Sequence, residues 1–194
     1  MSGVTKLCKD DRTVRVSHAD FSGRKPLKLI LTRHAKSSWD DPLLEDHDRP
    51  LNLRGEAGAE RMGAWLADRG HVPAQILCST AKRAQMTAQI MMEQFADKPE
   101  VSLLDGLYHA QPDAILTKIR GAKPGDLMVV GHNPGLASFA DLISETRPKH
   151  ERFIAFPTTS TLISEVHRAS WSELKFGDAK LLNFVVPRDL KVLL

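Results

Sequence analysis

Leu27-Lys28-Leu29-Ile30-Leu31-Thr32, followed at once by Arg33-His34-Ala35-Lys36-Ser37-Ser38-Trp39, is the stretch whose reading decides the fold. Its first half is a nearly unbroken apolar run, the pattern of a strand buried on both faces rather than one with a wet side. Such strands belong to sheets covered by helices, so helical and strand periodicity should alternate downstream. Asn52 can cap a helix running to about Arg69, with Met62, Trp65 and Leu66 on one face and Gly70 as a left-handed stop. A strand is expected at 75–78. Helical spacing resumes with Ala84, Thr87, Ala88, Met91 and Phe95, and 101–104 reads as a short strand. Pro112 opens a helix carrying Ile115, Leu116 and Ile119, 127–130 is another buried strand, and Pro134 begins a helix reaching about Glu145. Segments 159–166 and 180–186 are β-rich with no long helix between them, which predicts strands closing the sheet at least partly antiparallel. The expected class is α/β: three layers, α/β/α, around a mainly parallel sheet with at least one antiparallel strand.

Composition agrees. The chain has 194 residues, 42% hydrophobic and 26% charged, which suits a single domain over 27–194 and would leave two cores undersized. Residues 1–28 hold seven basic residues against three aspartates, so 1–26 reads as a basic N-terminal arm on a near-neutral body. No stretch offers the roughly 18 apolar residues of a membrane helix, and the N-terminus lacks the apolar run of a signal peptide. Cys8 and Cys78 have no paired spacing, which points to a reducing, cytoplasmic compartment. No aromatic-interleaved basic stripe suggests nucleic-acid binding.

In open α/β sheets ligands bind beyond the carboxyl ends of the strands, so the residues after each strand should converge there. They are Arg33 and His34 after the first strand, Ser79 to Arg83 after the second, and Gly131, His132 and Asn133 after the fourth. Arginine presents a permanently charged fork that matches phosphate oxygens, and a neutral imidazole is a nucleophile available near neutral pH. Arg83 also falls in the first turn of its helix, where free N–H groups favour an anion. Phosphoryl transfer asks a protein mainly for in-line positioning and for charge opposite the equatorial oxygens, and two guanidinium and two imidazole groups supply both. The eight histidines show no metal-ligand spacing, so no metal is expected.

The segment from Thr32 to Trp39 resembles the R-H-G-x-S-x-W signature of the histidine phosphatase, or phosphoglycerate mutase-like, superfamily. Leu51-Asn52-Leu53-Arg54-Gly55 is similar to its L-T-x-x-G helix start. Ser79-Thr80-Ala81-Lys82-Arg83-Ala84 with Thr87-Ala88 is similar to its S-P-x-x-R-A-x-x-T-A segment, and Gly131-His132-Asn133-Pro134-Gly135 to its second-histidine motif. Short length, Leu107-Tyr108-His109-Ala110 and the GHNPGL segment resemble in particular the small SixA-like phosphohistidine phosphatases. The resemblance implies a cofactor-free phosphatase in which His34 attacks phosphorus to form a phosphohistidine intermediate. Arg33, Arg83 and His132 would hold the phosphoryl oxygens, and Ser37 would hydrogen-bond phosphate or the loop backbone. Asp105, after the third strand, matches the place where mutase-type members carry an acid. Ala35 replaces the usual glycine, and Asp40 stands where many relatives have asparagine; a carboxylate there would repel phosphate unless paired with Arg49 or Arg54, so Asp40 is left out of the phosphate-binding set.

Other residues have plainer readings. Trp39 either pins the long 37–51 link onto the body or stacks on substrate, Ser79 and Thr80 cap the following helix, and His109 packs beside Tyr108. His18, His47, His71, His150 and His167 read as surface residues. Three functions stay open: a phosphatase acting on a phosphohistidine carried by a partner protein, a phosphatase for a small phosphate ester such as a sugar phosphate, and a non-catalytic phosphoryl-binding module. A labile N–P bond needs less acid assistance than an ester, which favours the first.

Overall fold

A computed structural model of the chain describes residues 25–190. The expected basic arm therefore lies almost wholly outside the described residues. Six strands form one sheet: β1 (Leu27–Arg33), β2 (Gln75–Ser79), β3 (Glu100–Leu104), β4 (Leu127–Gly131), β5 (Thr161–Val166) and β6 (Ala179–Val185), in the order β3-β2-β4-β1-β5-β6. β3, β2, β4 and β1 run parallel, and β5 and β6 close the sheet through antiparallel pairings. Four helices cover it: α1 (Leu53–Asp68), α2 (Lys82–Glu93), α3 (Pro112–Arg120) and α4 (Gly135–Ile143).

The apolar run of β1 is explained by two cores. Leu29 and Leu31 face one side, packed with Ile115, Leu116 and Ile119 of α3 and Leu136, Phe139 and Ile143 of α4. Ile30 faces the other, packed with Met62 and Leu66 of α1 and Ala84, Ala88 and Met91 of α2. Successive strand residues point to opposite faces, so a strand between two helical layers must be apolar throughout. Asn52 accepts from the Gly55 N–H at the start of α1, and Gly70, at φ +66°, follows its end. The last helix stops at Ile143, two residues short of the expected end, and β5 begins at Thr161 rather than 159.

The long link after β1 crosses the carboxyl ends of the central strands. It pairs Ser37 with Leu51 in an isolated bridge and contains a short 3-10 turn over Asp46–Asp48. A second 3-10 turn, Asp105–Leu107, follows β3 and leads into Tyr108 and His109. β1, β2 and β4 are neighbours in the sheet, so their ends and these two loops meet above one point.

Candidate active site

At that point lies an open pocket of about 380 Å³ whose lining includes Arg33, His34, Ser37, Asp46, Arg83 and His132. The His34 and His132 ring centroids are 4.8 Å apart, and Arg83 Nε donates to His34 Nε2 at 3.3 Å. The four residues that the strand ends were expected to deliver are therefore in one place.

Each is oriented by a specific contact. His34 Nδ1 lies 2.7 Å from the Ala35 carbonyl. A carbonyl only accepts, so Nδ1 carries the proton and Nε2 presents its lone pair to the pocket. His132 Nε2 lies 2.8 Å from Ser79 Oγ. Arg33 is anchored by donating from Nη1 to the Phe156 carbonyl at 2.9 Å. Its Nε and the Nδ1 of His132 are buried atoms that find no hydrogen-bond partner among the described residues, in keeping with groups that serve a ligand.

Electrostatics keep both rings neutral. Burial pushes the His34 imidazole down to about 4, with Arg83 and Arg33 adding to the shift against the Ala35 hydrogen bond. Burial, then the neighbouring His34 and Arg83, bring His132 to about 2. Arg33 is also lowered, first by burial and then by Arg83. The pocket thus sets the Arg33 and Arg83 forks beside the two uncharged imidazoles, with Lys36 and Arg49 also in its lining, an environment that favours an anionic ligand.

Among the described residues one carboxylate lines the pocket, and it is Asp46 rather than Asp105. Asp105 is exposed at the start of its 3-10 turn, its carbonyl accepts from the Tyr108 N–H at 2.9 Å, and it does not line the pocket. The turn instead projects Tyr108, whose hydroxyl donates to Asp46 Oδ2 at 2.7 Å. Asp46 also accepts from Arg83 Nη2 at 2.9 Å and Arg49 Nη1 at 3.0 Å, while its carbonyl accepts from Arg83 Nη1. Burial works to raise the Asp46 carboxyl, but the Tyr108 and Arg83 hydrogen bonds, together with the charges of Arg83 and Arg49, bring it down to about 2. It is ionised at neutral pH.

Some plainer expectations are corrected and others are not. Ser79 and Thr80 do not cap α2, whose N-cap is Ala81 with no side-chain bond; Ser79 orients His132, and Thr80 Oγ1 lies 3.1 Å from His47 Nε2. Ser37 lines the pocket but its hydroxyl accepts from Arg49 Nη2 at 2.8 Å. Trp39 is 72% exposed, so it does not anchor the link in the body; it stands at the pocket rim with the Arg49 guanidinium 3.1 Å from its ring centroid. His109 packs beside Tyr108 as expected, their ring centroids 4.2 Å apart, and it also lines the pocket with φ +50°, its Nε2 3.8 Å from Asp46 Oδ2. Asp40 accepts from Ser38 Oγ at 2.7 Å and is exposed outside the pocket, while Arg49, a suggested partner, pairs with Asp46. Of the histidines read as surface, His71 has a buried Nδ1 and His150 is half-buried against Phe184; His18 lies outside the described residues. Asp46, Arg49 and Tyr108 escaped the sequence reading as site residues, the available signal being the unusual length and acidity of the 37–51 link. Among the described residues no cluster of three His, Cys, Asp or Glu side chains could hold a metal ion, and no helix is long and apolar enough to cross a membrane.

The sequence profile of the histidine phosphatase superfamily (branch 1) matches residues 29–111, and an uncharacterised protein of Mycobacterium tuberculosis is 36% identical over 165 residues, 80% of this chain and 99% of that one. The chain belongs to the histidine phosphatase superfamily. The fold agrees. A crystal structure of a protein proposed to be the phosphohistidine phosphatase SixA of Agrobacterium tumefaciens matches at a TM-score of 0.68 and 29% identity, covering 84% of this chain and all of that one. Another protein proposed to be SixA, from Nakamurella multipartitia, matches at a TM-score of 0.69 and 26% identity, covering 84% of this chain and 98% of that one. In this histidine phosphatase the motifs stand at the carboxyl ends of β1, β2 and β4, and the chemistry to be accounted for is that of a phosphatase.

Proposed function

We propose that the protein is a phosphohistidine phosphatase that acts on a histidine side chain of a partner protein, with His34 as nucleophile. The observation that carries this reading is the donation from His34 Nδ1 to the Ala35 carbonyl, which keeps the proton off Nε2; the Nε2 lone pair, to which Arg83 Nε donates at 3.3 Å, is then the one that turns to phosphorus. The Nε2 lone pair forms a bond to phosphorus while the bond to the leaving nitrogen breaks. Arg33 and Arg83 stabilise the equatorial oxygens, and the Ala35 carbonyl stabilises the cationic phosphoimidazole that results. Water then attacks phosphorus, His34 Nε2 leaves, and inorganic phosphate is released.

The choice of leaving group follows from the carboxylates. Asp46 is ionised at neutral pH and engaged by Tyr108 and Arg83, so it holds no proton for an alkoxide. Asp105 lies outside the pocket and Asn133 has no acidic proton. A phosphorylated imidazole leaves neutral once its remote ring nitrogen takes a proton from solvent, and needs no acid beside the scissile bond. The pocket is open, with Trp39 exposed at its rim, as access to a protein side chain requires. Cys78, buried and with its thiol pushed up to about 12 by burial, is inert, and we assign the enzyme to a reducing, cytoplasmic compartment.

The test is to compare turnover of a phosphohistidine-bearing protein with that of a panel of sugar phosphates. The reading expects kcat/KM for the phosphoprotein to exceed that for every ester by about 100-fold or more. Faster turnover of one sugar phosphate would replace it with a small-molecule phosphatase, and phosphate binding without any turnover would replace it with a non-catalytic module.

A further inference from the structure

A second cavity, of about 430 Å³, opens beside the catalytic pocket and shares Lys36 and Thr158 with it. Its lining includes Lys36, Arg54, Arg61, Arg152 and Arg188, and among the described residues contains no aspartate or glutamate. Several arginines elsewhere in the molecule are paired with carboxylates. Arg49 and Arg83 pair with Asp46, Arg147 with Asp141, and Arg168 with Asp178. Among the described residues, none of the five is ion-paired with a carboxylate.

The fold builds this concavity. Arg54 and Arg61 are seven residues apart on α1, two turns along one face, and between them sits buried Gly58, where a Cβ would lie 3.4 Å from Thr159 Oγ1. The absence of a side chain there keeps the floor open between the two guanidinium groups. Arg188, in a 3-10 turn after β6, and Arg152 belong to other segments of the chain, so separate elements contribute to one cleft. Five like charges facing a common space repel one another, and a polyanion entering that space removes the repulsion while gaining bidentate contacts.

We infer that this cleft is a second anion subsite, which takes a compact ligand with contiguous phosphate groups, an oligophosphate or a nucleoside polyphosphate. Its volume suits a few linked phosphates and is far too small for a folded domain. Because the Lys36 and Thr158 wall is common to both cavities, an occupant of the cleft lies next to the phosphoryl seat and obstructs a protein substrate there. The inference goes beyond the catalytic reading and stands whichever substrate His34 serves.

Calorimetric titration of the full chain with inorganic tripolyphosphate, orthophosphate and ATP tests it. Tripolyphosphate should bind about tenfold or more tightly than orthophosphate. In an Arg54→Ser/Arg61→Ser/Arg188→Ser variant this preference should disappear, while kcat/KM for p-nitrophenyl phosphate stays within about twofold of wild type, which also reports that the variant is folded. A His34→Ala variant should keep the preference. Equal binding of ATP and tripolyphosphate would mean that the phosphate chain alone is read, and tighter ATP that a nucleoside is read too; both support the subsite. A preference that survives the triple substitution, or one lost in His34→Ala, overturns it. A triple variant that only raises KM for a phosphohistidine protein, with no wild-type preference for tripolyphosphate, also overturns it and assigns the cleft to an acidic protein surface.

Discussion

His34 is useful because its two nitrogens have been made different. The Ala35 carbonyl fixes the proton on Nδ1, and Arg83 Nε reaches Nε2, so charge that develops on phosphate meets a cation already in place. Arg83→Ala should therefore lower kcat/KM by about 100-fold or more, equivalent to about 3 kcal/mol of transition-state stabilisation, in a steady-state assay with p-nitrophenyl phosphate. Asp46 works in the opposite sense. Its carboxylate, 47% exposed, sits on the guanidinium that a phosphate needs, and an incoming anion must compete with it. Asp46→Asn should tighten orthophosphate binding roughly fivefold, about 1 kcal/mol for a partly solvated pair, measured by calorimetry. Unchanged or weaker binding would mean that Asp46 chiefly holds Arg83 in position.

At the scale of elements, two helix starts are set by close backbone approach. A Cβ on Gly135 would collide with the Ala110 carbonyl oxygen, and one on Gly55 with the Lys36 carbonyl oxygen. The first contact docks α4, and with it the His132 loop, onto the segment after Tyr108; the second seats α1 on the segment after His34. Gly135→Ala should cost about 3 kcal/mol of stability, read from urea unfolding, because backbone rather than a flexible side-chain end must give way. These elements also show what the amino-acid order reveals. Arg33, His34, Arg83 and His132 were legible because periodicity locates the ends of buried strands and topology brings those ends together. Asp46 was not, since a 3-10 turn inside a fifteen-residue link has no period to read. Asp105 was placed by its position after the third strand, and that position says nothing of which residue in the next turn faces the pocket; here it is Tyr108. Ser79 was mistaken for a cap because a hydroxyl before a helix normally is one, and only the position of His132 gives it other work.

For the whole molecule, a cluster of suppressed histidines makes stability depend on pH. His34 and His132 have folded-state values below the ordinary one, so between about pH 6.5 and 4 the unfolded chain binds protons that the folded chain refuses. Stability is fully present above that window and falls on acidification, by up to about 1.4 kcal/mol per pH unit for each group, until His34 itself titrates near 4. Asp46 adds a loss of the same sign lower down, as pH falls from the ordinary carboxylate range toward about 2. Urea unfolding at pH 7 and pH 5 should show the loss, and a His132→Asn variant should show a shallower one. The molecule tolerates this burden because the neutral rings and the cationic forks are the phosphoryl site. Rapid quenching of the enzyme during turnover of a phosphorus-labelled phosphohistidine protein tests that claim most directly. The account predicts one acid-labile, alkali-stable phosphoryl group per chain, located by mass spectrometry on His34 through Nε2 and missing in His34→Ala. Turnover that persists in His34→Ala, or a phosphoryl group trapped on any other residue, would contradict it.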